Sequence, residues 1–282
     1  MTLPAGFDSN DFVARVLAED FGVGGDVTSN ATIAADARFS AKMSCREPVV
    51  VAGIDIAAAF FRALDTDVRI DTLVGDGEWI DAGSMLMRLD GNARAMLSAE
   101  RSALNTLQHL SGIATLTRRY VDAIAGTGAI LLDTRKTIPG LRALEKYAAL
   151  MGGAQNHRMR LDDGVLIKDN HVAVCGGVAE AVRRAKEANT GLPIQVEVDR
   201  IDQIEPALAA GADRLLLDNM PTPVLQEAVA LVAGRVPLEA SGGVRLDTIR
   251  AIAETGVDYI SVGSITQSAP AVDIGLDYSL SA

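Results

Sequence analysis

Six short apolar runs, each set off by a helical pattern, constrain this chain more than any other feature. They are 129–133 (AILLD), 165–168 (VLIK), 194–198 (IQVEV), 214–218 (RLLLD), 236–239 (VPLE) and 258–262 (DYISV). Runs of this length, continuous rather than alternating, read as strands buried on both faces. Successive strand ends, taken at 133, 168, 197, 218, 239 and 262, lie 35, 29, 21, 21 and 23 residues apart, one strand and one helix per interval. The segments between them carry helix punctuation. Asp202 and Glu205 form an expected capping box, Gly211 ends that helix, Thr222 with Pro223 opens the next and Gly256 closes the last. A βαβ array of this kind predicts a parallel sheet, and six strands rather than eight predict an incomplete α/β barrel.

The first hundred residues lack this rhythm. Helices are expected near 10–19 and 54–64 and strands near 39–44, 68–74 and 84–89, which makes a small separate α/β domain. The segment 75–91 (GDGEWIDAGSMLMRLDG) resembles the hairpin of biotinyl or lipoyl carriers, which present a modifiable lysine at its tip. No lysine occurs between Lys42 and Lys136, so the segment reads as a scaffold hairpin. A continuous helix over 98–124, with Leu104, Leu107 and Leu110 on one stripe, joins the two parts. The expected division is 1–107, 108–270, and a tail 271–282 that returns to the first domain.

Composition narrows the function. A chain of 282 residues that is 49% hydrophobic and 22% charged is globular, with room for a large core. Its formal charge of -11 argues against nucleic acid or an anionic membrane as a partner of the whole molecule, so any anion must bind in a local pocket. Cys45 and Cys175 have no His or Cys at ligand spacing and read as free thiols. No run approaches about 18 apolar residues, and a soluble cytoplasmic protein is expected.

Between Asp133 and His171 stand seven Lys or Arg against five Asp or Glu, a local +2 that leaves -13 on the remainder of the chain. Arg142 and Lys146, one turn apart, read as a solvated helix face. Arg135, Lys136, Arg158 and Lys168 gather at strand ends, where barrel enzymes bind ligands, and point to an anionic substrate. Lys168 closes an apolar strand and suits a cationic clamp or a Schiff base. Glu197 and Asp218 end adjacent strands and make a plausible magnesium pair, completed by phosphate oxygens and water. Ser241-Gly242-Gly243 and Gly263-Ser264 follow the last two strands, where small residues let backbone N–H groups approach a phosphate. His157 and His171 flank the VLIK strand, and His109 is assigned to packing or an interface.

Taken in order, Leu132 to Arg142 (LDTRKTIPGLR), Lys146-Tyr147-Ala148, Gly152-Gly153, Asn156-His157-Arg158 and Ile167 to His171 (IKDNH) closely resemble the quinolinate phosphoribosyltransferase family. The resemblance extends to Glu100-Arg101, Glu197-Val198, Leu217-Asp218-Asn219, Ser241-Gly242-Gly243 and Val262-Gly263-Ser264, nearly the whole chain. It implies an N-terminal α/β sandwich, an open α/β barrel, and a homodimer with shared sites. The implied reaction joins quinolinate to phosphoribosyl pyrophosphate with Mg2+, giving nicotinate mononucleotide, pyrophosphate and carbon dioxide. In these terms Arg101, Thr134, Arg135, His157, Arg158 and Lys168 bind quinolinate, with Arg101 supplied by the other subunit. Lys136, Asn170, His171, Glu197, Asp218, Ser241, Gly242, Gly243, Val262, Gly263 and Ser264 bind the ribosyl donor. Lys136, Lys168, Glu197 and Asp218 are the implied catalytic set, and Glu197 with Asp218 the implied metal ligands. Gln267 departs from the pattern, standing where His is expected. Rival readings are a relative acting on another ring carboxylate, a Schiff-base aldolase using Lys168, and a non-catalytic phosphate-binding protein.

Overall fold

The computed structural model describes residues 6–278. The chain divides into two compact units. Unit 1 holds the chain up to Thr117, Ala143–Gly153 and the chain from Ser268 onward; unit 2 holds Arg118–Arg142 and Ala154–Gln267.

Unit 1 begins with α1 (Ser9–Phe21), where the Asp8 carboxylate accepts the N–H groups of Asn10 and Asp11, and α2 (Val27–Thr32), where Asp26 accepts that of Ser29. Next come β1 (Arg38–Cys45), β2 (Val49–Val50), α3 (Ile54–Leu64), β3 (Arg69–Thr72), β4 (Trp79–Ile80) and β5 (Met85–Asn92). Helix α3 buries Ile56, Ala57, Phe60 and Phe61, the i, i+1, i+4, i+5 stripe of a core-facing helix.

The hairpin expected over 75–91 does not form. Strand β4 pairs antiparallel with β2, whereas β5 pairs with β1 and β3 in another sheet. A turn separates them: Ser84 N–H donates to Asp81 O, and Gly83 N–H donates to Cys45 O at 2.9 Å, which turns the chain toward β1.

The expected boundary after residue 107 falls inside α4 (Ala93–Ala123), a single unbroken helix. Its buried stripe runs on from Leu110 through Ile113, Ala114 and Thr117, so packing gives it no reason to end. Helix α5 (Arg142–Met151) is enclosed rather than solvated on one face, because Leu144 to Ala149 are all buried. Lys146 is 0% exposed, and Arg142 donates from Nε to Thr137 Oγ1 (3.2 Å) and from Nη1 to Met159 O (3.3 Å). Within unit 1, Tyr147 Oη donates to Asp76 Oδ2 at 2.6 Å, and His109 Nε2 lies 2.9 Å from the buried Glu145 Oε1.

Unit 2 is a parallel sheet of β6 (Ile130–Leu132), β7 (Val165–Ile167), β8 (Ile194–Val198), β9 (Arg214–Asp218), β10 (Leu238–Ser241) and β11 (Tyr259–Ser261). The spatial order is β6-β11-β10-β9-β8-β7, so β6 and β7 are opposite edges and the barrel stays open. The connecting helices are α6 (Asp169–Cys175), α7 (Val178–Glu187), α8 (Ile204–Ala209), α9 (Thr222–Val232), α10 (Ile249–Ala253) and α11 (Ser264–Gln267). The capping box expected from Asp202 and Glu205 is displaced by a 3-10 turn, Ile201–Gln203, ahead of α8. Gln203 Oε1 instead accepts the N–H groups of Asp199 (2.9 Å) and Arg200 (3.2 Å), while Asp202 pairs with Arg200 and Glu205 with Arg235.

The last strand, β12 (Ile274–Tyr278), belongs to unit 1 and pairs antiparallel with β1, giving a four-stranded sheet in the order β12-β1-β5-β3. Of the expected tail, 279–282 lie outside the described residues. Cys45 is buried and Cys175 partly buried, both free. Among the described residues no helix is long and apolar enough to cross a membrane.

Candidate active site

Register decides which strand-end side chains of unit 2 share a face. Glu197 is level with Leu216, Leu216 with Glu239, Glu239 with Tyr259, and Asp218 with Ser241. Because side chains alternate along a strand, Glu197, Asp218, Glu239 and Ser241 project to one side. Lys168 follows the Ile167↔Val196 pair and joins them, with its Nζ 2.5 Å from Glu197 Oε2.

At the end of β9, Asn219 Nδ2 donates to Asp218 Oδ2 at 2.6 Å. Asn219 itself is left-handed (φ 56°), and its N–H donates to Ser241 O at 2.9 Å, tying the ends of β9 and β10 together. Gly242, also left-handed at φ 90°, sits against this residue: a Cβ there would stand 2.8 Å from Asn219 N. Beyond β11 a Cβ on Gly263 would stand 2.7 Å from Lys136 Cδ. The Lys136 backbone is fixed by its N–H to Thr134 Oγ1 (3.0 Å) and by Thr266 Oγ1, which donates to Lys136 O at 2.7 Å.

The cationic side is assembled by one buried carboxylate. Asp133, fully buried after β6, accepts the His157 N–H at 2.7 Å and Asn156 Nδ2 at 2.6 Å, and so fixes 156–158 beside β6. Arg158 then lies near Arg135. Burial first, and the Arg135 charge second, lower the Arg158 pKa, while Asp163 acts the other way. Arg158 Nη1 donates to Gly164 O at 2.8 Å, and Arg135 Nε is buried without a hydrogen-bond partner. Two neighbouring guanidinium groups, one with a buried unsatisfied N–H, leave hydrogen-bond donors and positive charge that an anion could satisfy.

A family assignment can be set against this geometry. Residues 113–277 match the quinolinate phosphoribosyl transferase C-terminal domain, and 26–111 match the N-terminal domain. The chain belongs to the quinolinate phosphoribosyltransferase family. It is 45% identical over 280 residues to the nicotinate-nucleotide pyrophosphorylase [carboxylating] of Mycobacterium leprae, covering 96% of this chain and 98% of that one. It is 41% identical over 264 residues to a probable enzyme of the same name from Bacillus subtilis, covering 93% and 91%. The solved nicotinate-nucleotide pyrophosphorylase of Francisella tularensis superposes with TM-score 0.93 at 39% identity, over 99% of this chain and 100% of that one. The one from Ehrlichia chaffeensis gives 0.94 at 40%, over 97% and 100%.

For this member of the quinolinate phosphoribosyltransferase family, contacts within unit 2 join Lys168 to Glu197, Asp218 through Asn219 to Ser241 and Gly242, and Lys136 to Gly263, while Arg135 and Arg158 interact through their charges. His157 has both ring nitrogens engaged: Nδ1 accepts the Arg158 N–H at 2.8 Å, and Nε2 lies 3.5 Å from Glu239 Oε2. Asn170 and His171 are exposed in the first turn of α6, where His171 Nδ1 accepts the Lys168 N–H. Val262 is buried and gives its N–H to Leu132 O at 3.0 Å, so that amide serves the sheet. Gly243 is exposed and Ser264 partly so, opening α11. Gln267 is exposed at the end of α11. Arg101 is exposed on α4 and belongs to unit 1.

Sequence reasoning placed Glu239 at a strand end but missed the inward polar cluster that it forms with Gln195 and Arg214, two residues deeper in the sheet, and with Tyr259 at its own level. Arg214 Nη2 lies 2.9 Å from Glu239 Oε2, Gln195 Nε2 donates to the same oxygen at 2.8 Å, and the Arg214 guanidinium stands 3.7 Å over the Tyr259 ring. The available signal was the alternation inside the strands: IQVEV and RLLLD carry their polar residues two apart or four apart, on one face.

Proposed function

We propose that the chain transfers the phosphoribosyl group of phosphoribosyl pyrophosphate to the ring nitrogen of quinolinate, with decarboxylation, giving nicotinate mononucleotide, pyrophosphate and carbon dioxide. The observation that carries this reading is the Arg135–Arg158 pair, two half-buried cations held near one another although burial first, and the Arg135 charge second, lower the Arg158 pKa. A dianionic ring acid relieves that repulsion, and Lys168 adds a third cation on the inward face. A Schiff-base role fits Lys168 less well, because its amine is already in an ion pair with Glu197.

The residues divide the work. Arg135, Arg158 and Lys168 hold the ring acid with its nitrogen toward the ribosyl carbon. Pyrophosphate leaves that carbon with the bonding electrons as the nitrogen bond forms, and positive charge builds on the ribose. Glu197 and Asp218, fixed by Lys168 and Asn219 respectively, place negative charge opposite it. Lys136, held across Gly263, meets the departing phosphates. Ribosylation leaves the ring nitrogen cationic, its charge stabilises the electron pair left on the adjacent ring carbon when that carbon's carboxylate departs as carbon dioxide, and a proton from water then completes the C–H bond of nicotinate mononucleotide.

The same reading includes Mg2+, a homodimer with Arg101 given to the partner's site, and a cytoplasmic setting. Among the described residues no three His, Cys, Asp or Glu gather as a metal cage. Glu197 and Asp218 offer hard oxygen donors on one face, each with one oxygen engaged by a neighbour, and this suits a magnesium ion that arrives with the donor's phosphates. When bound, magnesium would neutralise charge on the leaving pyrophosphate.

The test is an endpoint assay of the purified protein with quinolinate, phosphoribosyl pyrophosphate and magnesium, with nicotinate in parallel. Nicotinate mononucleotide with an equivalent of carbon dioxide, formed from quinolinate alone, is the expected result. Turnover of nicotinate instead, or of neither acid, overturns the assignment.

A further inference from the structure

Interiors of parallel barrels are layered with branched apolar side chains. Here the inward layer is polar and spans two register levels: Gln195 on β8 is level with Arg214 on β9, and Glu239 on β10, level with Leu216 and Tyr259, stands two residues nearer the strand ends. Glu239 is 0% exposed. Burial alone would raise its carboxyl pKa, yet the facing His157 and Arg214, with the Gln195 amide, hold it below the usual carboxylate range. The group at the centre of the layer is therefore an anion at neutral pH. A purely structural ion pair would need Arg214 and no histidine.

His157 is the link from this layer to the ligand side. Its Nδ1 accepts the Arg158 N–H at 2.8 Å, so that nitrogen carries a lone pair and no proton. The ring proton is then on Nε2, which faces Glu239 Oε2 at 3.5 Å. With the proton on Nδ1 instead, the Arg158 amide would face an N–H, and the hydrogen bond that sets the Arg158 backbone would be lost.

We propose that Glu239 is a positioning residue for ring-acid binding: its buried carboxylate fixes the Nε2–H tautomer of His157, which in turn holds the Arg158 backbone and aims the Arg158 guanidinium at a substrate carboxylate. This rests on the proposed ring-acid chemistry for its consequence, although not for the tautomer itself. Arg214, stacked on Tyr259 and paired with the same carboxylate oxygen, keeps Glu239 charged when no ligand is present. Glu239 touches no substrate, and it acts through His157.

The experiment uses the full chain labelled with 15N-histidine and long-range proton–nitrogen correlation at neutral pH without substrate. The three histidines are assigned by the loss of one signal in His157→Asn. The expected wild-type pattern for His157 is protonated Nε2 with unprotonated Nδ1; an Nδ1–H or doubly protonated ring overturns the proposal whether or not Glu239→Gln folds. Glu239→Gln is then expected to shift His157 toward the Nδ1–H form and to raise the KM for quinolinate roughly ten-fold or more, with the KM for the ribosyl donor little changed. Glu239→Asp, which keeps the charge, is expected to recover part of both. A tautomer unchanged in folded Glu239→Gln, or equal rises in the two KM values, would sink the positioning role. If the protein turns over a different ring acid, the reaction assignment fails while the tautomer result stands, so the two failures are separable.

Discussion

The Lys136 side chain lies directly across Gly263, with its Cδ 2.7 Å from where a methyl group on that glycine would be. The lysine can swing away from a methyl group, and Gly263 has an ordinary backbone φ, so Gly263→Ala is expected to cost less than about 1 kcal/mol of stability. The displaced ammonium should matter far more to turnover. A fall in kcat/KM of up to about a hundred-fold is expected, with a melting midpoint lowered by no more than about 4 °C; activity within two-fold of wild type would show that Lys136 does not need this path.

Gly242 makes the opposite prediction. Its left-handed backbone and the Asn219 backbone nitrogen, 2.8 Å from the new Cβ, leave strain that moving the Asn219 side chain cannot relieve. Gly242→Ala should destabilise unit 2 by about 1–3 kcal/mol, read by denaturant unfolding, and should weaken binding of the ribosyl donor with it.

Arg135→Ala and Arg158→Ala are each expected to weaken quinolinate binding by about 1.5–3 kcal/mol while leaving donor affinity nearly intact. Titration calorimetry with each ligand separately checks this, and equal losses for both ligands would contradict the division of the site.

A shared site in a homodimer predicts complementation. Inactive Arg101→Ala chains mixed with inactive Lys168→Ala chains should recover a fraction of wild-type activity, because each mixed dimer contains one intact composite site. Absence of recovery in dimers shown to be mixed would place Arg101 outside the partner's site.

The Tyr147–Asp76 bond predicts a pH dependence in unit 1. Burial, followed by the hydrogen bond to Asp76, raises the Tyr147 hydroxyl well above its ordinary value of 10.0. A group whose pKa is raised by folding contributes stability that is complete below the unfolded value and is lost as pH climbs above it. Tyr147→Phe should therefore cost about 1 kcal/mol near neutrality, and its deficit should shrink above pH 10. A deficit that grows with pH would show the sign to be wrong.

The barrel was legible because each of its strands is a continuous apolar run bounded by helix signals, and the six runs at 129–262 are the six strands. What stayed hidden depended on pairing. Strands β2 and β4, two residues each, carry too little pattern to declare themselves, and 75–91 read as a hairpin because sequence shows proximity along the chain and not the sheet each half joins. Lys146 read as solvated because a charge on a helix normally is, whereas α5 buries every residue from Leu144 to Ala149. Arg135 and Arg158 were visible as strand-end cations. The Gln195–Arg214–Glu239–Tyr259 cluster was not, since it exists only once four strands are paired.

Strand β12 gives the chain an order of assembly. On a ribosome, β1, β5 and β3 emerge early, but the partner that covers the free edge of β1 is made only after every residue of unit 2. Until then β1 presents an unpaired backbone edge of the kind that recruits other chains. Unit 2 needs no later segment and can close first, so the half of the protein that begins the sequence finishes folding last. A nascent chain halted before β12 would be expected to show its vulnerability at the start of its sequence, as protease cleavage or edge-to-edge aggregation through β1, rather than near the halt.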